Sequence, residues 1–138
     1  MTTPDESVEA DSSDSSGRTA LILTIATRER NLELMSEYLR SEGYEVETAS
    51  TLERFDELLS DSDGVSVVVL DLDGFTPSVW ERCERIKALG VPILVLAGRL
   101  PAAARERAQA SGAHTTLEKP VRKAELRGTV KTLARAAG

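Results

Sequence analysis

The chain has 138 residues, of which 41% are hydrophobic, 29% charged and 4% aromatic, values that describe one ordinary globular domain with an aliphatic core. One cysteine, Cys83, excludes an intrachain disulfide and a Cys-based zinc site, and one histidine, His114, excludes a His-rich metal centre. The net charge is −6, no apolar run approaches the roughly eighteen residues a membrane span needs, and the acidic, Ser-rich start lacks the apolar segment of a signal peptide, so a cytoplasmic location is expected.

Residues 1–18 combine Ser, Asp and Glu with almost no large apolar group. Such a segment buries too little surface to offset its ordering entropy and reads as a disordered acidic tail, a partner-binding arm being the other reading. The folded domain is expected over 19–138. Ala20 to Ala26 is a short continuous apolar run, the pattern of a strand covered on both faces. Leu34, Met35, Tyr38 and Leu39 then fall on one helical stripe that ends at Gly43. Tyr44 to Ala49 alternates around Val46 as a second strand. Ser50-Thr51-Leu52-Glu53 has capping-box spacing and opens a helix with Leu52, Phe55, Leu58 and Leu59 inward, closed by a turn at Asp61-Ser62-Asp63-Gly64.

Val65 to Leu70 is the most apolar run and predicts a central strand, stopping at Asp71-Leu72-Asp73-Gly74. A helix from about Pro77 to Leu89 follows, with Pro77 near its first turn. Pro92 to Ala97 is a fourth strand, Pro101 to Ala110 an Ala/Arg helix closed by Gly112, and His114 to Glu118 a short fifth strand. Leu126, Val130, Leu133 and Ala137 mark an amphipathic last helix.

Five strands alternating with five helices define an α/β domain: a doubly wound parallel sheet with helices on both faces. In such sheets the reaction site lies outside the carboxyl ends of the strands. Two residues stand out there. Asp71 ends the most apolar strand, and Lys119 ends the last one, followed by Pro120. A carboxylate that attacks and a cation that steadies transferred charge are the parts of a phosphoryl site. A salt bridge at a sheet edge is the plainer alternative.

These fragments, in order and spacing, resemble the receiver domain of two-component response regulators across the chain except its tail. The resemblance is carried by Asn31 to Met35 with Tyr38-Leu39, Glu42 to Val46 and Thr48-Ala49, by Val67-Val68-Val69-Leu70-Asp71, by Val91 to Leu96, and by Gly112-Ala113 with Leu117-Glu118-Lys119-Pro120. It implies a flavodoxin-like five-stranded sheet of order 2-1-3-4-5 and a Lys119–Pro120 bond in cis linkage. It also implies phosphoryl transfer from a histidine kinase to Asp71. Magnesium would be held by Asp71, an acidic pair after the first strand and the main-chain carbonyl of residue 73. The implied role is phosphorelay signalling through protein contacts by a stand-alone domain, not an enzyme.

The chain departs from that pattern where the chemistry is densest. Ala26 and Thr27 stand at the acidic-pair positions, Ala97 at the hydroxyl that would bind the phosphoryl group, and Thr116 at the switch aromatic. Only Asp71 and Lys119 remain, so the expected domain is an atypical receiver whose Asp71 is impaired as an acceptor or whose contacts ignore phosphorylation. Two compensations are open: the Asp73 side chain as a second magnesium carboxylate, against a turn residue before Gly74, and Arg28 as a stand-in cation, against a solvated arginine. Asp71-Leu72-Asp73-Gly74 also resembles the opening motif of haloacid-dehalogenase-type phosphatases, with Asp71 as nucleophile and Asp73 as general acid, but Ala97 and the lack of a late acidic pair do not suit that family.

Residues 99–138 carry a charge of +6 beside a body of −8. Arg105, Arg107, Arg122, Lys123 and Arg127 are expected on the face of the fourth helix, fifth strand and last helix, where the resemblance puts a partner or homodimer surface. An acidic partner suits such a face, and nucleic acid less so without an aromatic-rich basic cluster. The plainer reading is that the two halves neutralise each other within the fold. Trp80 reads as core packing or a contact surface, Cys83 as a small buried apolar group, and His114 as no metal ligand.

Overall fold

The computed structural model describes residues 20–61 and 64–137; the acidic tail, the centre of the turn at 61–64 and the inward side chain expected at Ala137 lie outside the described residues. Along the chain run β1 (Leu21–Ile25), α1 (Glu29–Ser41), β2 (Glu45–Ala49), α2 (Leu52–Asp61), β3 (Val65–Asp71), α3 (Val79–Ala88), β4 (Ile93–Ala97), α4 (Ala102–Ala110), β5 (Ala113–Glu118) and α5 (Lys123–Ala137). All strand pairs are parallel, in the order β2-β1-β3-β4-β5. This is the flavodoxin-like sheet that the resemblance implies, and the Lys119–Pro120 peptide is cis.

The three inner strands are mostly apolar because both their faces are covered. Ile22, Val67, Val69, Leu94 and Leu96 point to one side and meet Leu39 of α1 and Leu126, Val130 and Leu133 of α5. Leu23, Ile25, Val68, Leu70, Ile93 and Val95 point to the other, against Phe55 and Leu58 of α2, Val79, Trp80, Cys83 and Ile86 of α3 and Ala108 of α4. The two edge strands carry exposed Glu45 and Glu47 on β2 and His114 and Glu118 on β5, charges and polar groups that discourage pairing with another sheet.

Local details differ from the sequence expectation at three places. On α1 the inward stripe is Leu32, Ser36 and Leu39, while Leu34 is 50% exposed and Met35 and Tyr38 are half-buried. The helix is turned because Ser36 has a partner in the core: its hydroxyl and that of buried Thr24 on β1 lie 2.8 Å apart, and Thr24 also donates to the Glu47 carbonyl at 3.3 Å. A satisfied polar pair is buried at small cost, so it takes the inward position in place of Leu34. The cap of α2 is Thr51, whose Oγ1 accepts from the Arg54 N–H at 3.1 Å; the capping-box frame starting at Ser50 is one residue early. Pro77 precedes α3, its carbonyl accepting from the Trp80 N–H at 3.1 Å, and the helix begins at Val79.

Cys83 is enclosed, and burial, with the charge of Glu84 adding to it, pushes its thiol up to about 11. An aromatic disulfide reagent at mildly alkaline pH is expected to leave the folded chain unlabelled and to label it fully in denaturant; rapid labelling of the native protein would contradict this burial.

Candidate functional site

β3 brings Asp71 to the carboxyl edge because Val67 to Leu70 are locked in the core below it, which leaves the Asp71 side chain only 8% exposed. β5 is two strands away, across β4. The Lys119 N–H donates to the Ala97 carbonyl at 2.7 Å, extending the β4–β5 pairing one residue beyond the strand. From there Lys119 reaches back over the end of β4. Its Nζ donates to both Asp71 oxygens, at 3.0 and 2.9 Å, and lies 2.8 Å from Asp73 Oδ2. Two residues 48 positions apart, picked out by sequence, therefore meet, and Asp73 joins them.

Asp73 is held at every polar atom. Its carboxylate oxygens accept from the Gly98 N–H at 3.2 and 3.0 Å, its own N–H donates to Asp71 Oδ1 at 3.2 Å, and its carbonyl accepts from Thr27 Oγ1 at 2.9 Å. The absence of a side chain at residue 98 makes room for this approach: a Cβ there would lie 3.1 Å from Asp73 Oδ2. Burial opposes the Asp73 charge, but hydrogen bonds from Lys119 and Gly98, with the fields of Lys119 and Arg28, hold its carboxyl below the usual carboxylate range. Burial likewise works against the Lys119 ammonium, and the hydrogen bonds to Asp71 and Asp73 overcome it and raise its pKa.

The positions expected for the acidic pair are filled otherwise. Ala26 is completely buried, a methyl group in the core. Thr27 spends its hydroxyl on the Asp73 carbonyl. Arg28 is exposed and, among the described residues, makes no ion pair with either aspartate; it acts on Asp73 only through its field. Ala97 is buried at the end of β4 and Thr116 on β5 accepts from Arg105 Nη1 at 3.1 Å. Glu118, the residue before Lys119, accepts from the Leu100 N–H at 3.0 Å and ties β5 to the loop after β4.

Magnesium requires hard oxygen donors in near-octahedral array, usually with one or two carboxylates. The residues present do not fit it. Asp71 faces an ammonium, the Asp73 carboxylate is turned to Lys119 and Gly98, and the Asp73 carbonyl is capped by Thr27. Among the described residues, no group of three His, Cys, Asp or Glu is arranged to hold a metal ion.

Sequence reasoning missed the Asp73–Gly98 and Thr27–Asp73 bonds. A further feature is a groove of about 280 Å3 that leads from Asp71 and Lys119 between α1 and α5, lined by Leu34, Met35, Tyr38 and Val121. The expected basic face is divided: Lys123 Nζ sits 5.5 Å from the Tyr38 ring and Arg127 Nη1 lies 3.9 Å from Glu42, so both turn toward α1, while Arg105 bonds to β5.

Residues 22–131 match the response regulator receiver domain family, and the chain belongs to it. Among solved structures, a CheY-like receiver domain protein from Methanospirillum hungatei JF-1 superposes with a TM-score of 0.78 at 21% identity, covering 86% of this chain and 95% of that one. Chemotaxis protein CheY4 of Vibrio cholerae gives 0.72 at 23% identity over 83% of this chain and 98% of that one. A pilus assembly protein of Burkholderia thailandensis gives 0.71 at 17% identity, covering 84% and 98%. No curated protein matches significantly. Receiver domains are generally signalling modules rather than enzymes and typically bind magnesium at an acidic pocket. The family match lends no support to a dehalogenase-type phosphatase. Among the described residues, no helix is long and apolar enough to cross a membrane.

Proposed function

We propose that this receiver works in phosphorelay signalling through contacts with a histidine kinase or another signalling protein, with Asp71 at the acceptor position and its phosphorylation impaired or dispensable. The observation that carries the reading is the Asp73 carboxylate turned to Lys119 and Gly98, which leaves Asp71 without a free neighbouring carboxylate to share in holding the family's metal. Without the divalent ion, the charge that develops on a transferring phosphoryl group is met chiefly by Lys119, and Lys119 is shared between two carboxylates. The methyl of Ala97 removes a further hydrogen bond to that charge, worth about 1.5–3 kcal/mol. A deficit of this size matches a typical coupling free energy of about 1–3 kcal/mol, so a phosphorylated form would shift its conformation weakly. The partner surface assigned to α4, β5 and α5 keeps exposed Arg105, Arg107 and Arg122, charges suited to an acidic partner or to a second copy presenting acids.

Incubation of the parent chain and Asp71→Asn with a small acyl phosphate and magnesium, read by intact mass, tests this. An Asp71-dependent phosphoryl gain on under about a tenth of the chains is expected from the missing stabilisation. Stoichiometric, magnesium-dependent modification of Asp71 would overturn it.

A further inference from the structure

We propose that Asp73 is a tethered anion seated where the phosphoryl group of a receiver would be gripped, so that the chain carries its own occupant for that seat. The inference rests on reading Asp71 as the acceptor position. A phosphoryl group on Asp71 would lie beside the Asp71 oxygens, within reach of the Lys119 ammonium and of the end of β4. In this chain a carboxylate already lies there. Asp73 Oδ2 is 2.8 Å from Lys119 Nζ, and both Asp73 oxygens accept from the N–H of Gly98, the first residue after β4.

Three features show that the seat is built around this occupant. Residue 98 has no side chain, and a Cβ would crowd Oδ2 at 3.1 Å. Thr27 fixes the Asp73 main chain from the loop after β1, and the Asp73 N–H bonds back to Asp71, so the carboxylate is anchored on both sides of its own residue. Glu118 holds the Leu100 N–H two residues beyond Gly98, fastening the same loop to β5. Together these bonds tie the loops after β1, β3 and β4 to the end of β5. The missing acidic pair and hydroxyl are then parts of one arrangement. A divalent ion and a phosphoryl ligand are replaced by one internal carboxylate, and the loop after β4 is held in place without either.

The amide resonance of Gly98 reads the seat directly. In the parent chain, sulfate or inorganic phosphate is expected to leave it unmoved. In Asp73→Ala it is expected to shift, to exchange its proton about tenfold or more faster than in the parent, and to respond to added sulfate. Lys119→Met in that background is expected to abolish the sulfate response. Unchanged resonances of Phe55 and Ile86 in the core layer on the other face of the sheet certify that the variant is folded, and the isosteric Asp73→Asn, which keeps the shape and loses the charge, carries the same test if the alanine variant unfolds. A parent Gly98 that moves with sulfate as much as the variant, or a Gly98 indifferent to loss of the Asp73 charge, overturns the inference. Stoichiometric, magnesium-dependent phosphorylation of Asp71 in the mass experiment would instead overturn the impaired-acceptor reading, leaving the Gly98 result to stand separately.

Discussion

Lys119→Ala is expected to destabilise the fold by about 2–3 kcal/mol, and Asp71→Asn in the same chain to recover more than half of that loss. Removing one partner of a fully enclosed ion pair costs about 3–5 kcal/mol, because the other charge stays buried without compensation. Here the ammonium is a quarter exposed and Asp73 more than a third, so water moderates the effect, but Asp71 is 8% exposed and would be left beside a second carboxylate. The pH dependence follows from the two shifts. Asp73 titrates below its ordinary value in the folded state, so its contribution is complete above the unfolded carboxylate pKa and is lost as pH falls through the lower, folded one. Lys119 titrates above its ordinary value, so its contribution is complete below the unfolded ammonium pKa and is lost only as pH rises through the higher, folded one. The parent is therefore expected to keep the site's contribution across the neutral range. In Lys119→Ala, acid that protonates the orphaned Asp73 carboxylate is expected to narrow the gap to the parent. Denaturant unfolding at pH 7 and pH 4 measures both effects; a loss below about 0.5 kcal/mol would mean that the three groups act as a solvated surface cluster.

Gly74→Ala is expected to cost about 2–3 kcal/mol by two additive routes. Gly74 has φ +92°, a conformation that L side chains rarely adopt, and a Cβ there would run into Thr27 Oγ1. The backbone part alone is about 1–2 kcal/mol. In a Thr27→Ala background the overlap with Oγ1 disappears and only the closer-than-usual approach to the residue 27 Cβ, at 3.2 Å, remains, so Gly74→Ala should then cost less, nearer the backbone part. The double-mutant cycle separates the two, and equal costs in both backgrounds would contradict the close Thr27–Gly74 approach. This contact also shows why a glycine stands at residue 74, three residues beyond the end of β3: it allows Thr27 to come close enough to bond the carbonyl of the residue before it.

The sheet was legible because burial on both faces writes itself into contiguous runs such as Val65 to Leu70 and Ile93 to Ala97. The order of the strands came from the resemblance, not from any periodicity. The rotation of α1 was hidden, since an apolar count favours Leu34 and nothing local announces that Ser36 faces Thr24. Asp71 and Lys119 were legible by position alone, each the last or next residue of a strand. The roles of Asp73, Thr27 and Gly98 were not. Their bonds join loops 25 and 46 positions apart, and contacts between loops leave no repeat in the sequence. What the sequence did carry was the set of losses at Ala26, Thr27 and Ala97; in the fold two of the neighbouring groups, the Thr27 hydroxyl and the Asp73 carboxylate, are turned to new partners.

On this reading the grip for a phosphoryl group is already filled from within the chain. Fluorine NMR with beryllium fluoride and magnesium, on the parent and on Asp71→Asn, tests it most directly, since that anion mimics a phosphoryl group on a carboxylate. No bound fluoride resonance is expected in the parent. A stoichiometric bound resonance that vanishes in Asp71→Asn would contradict it.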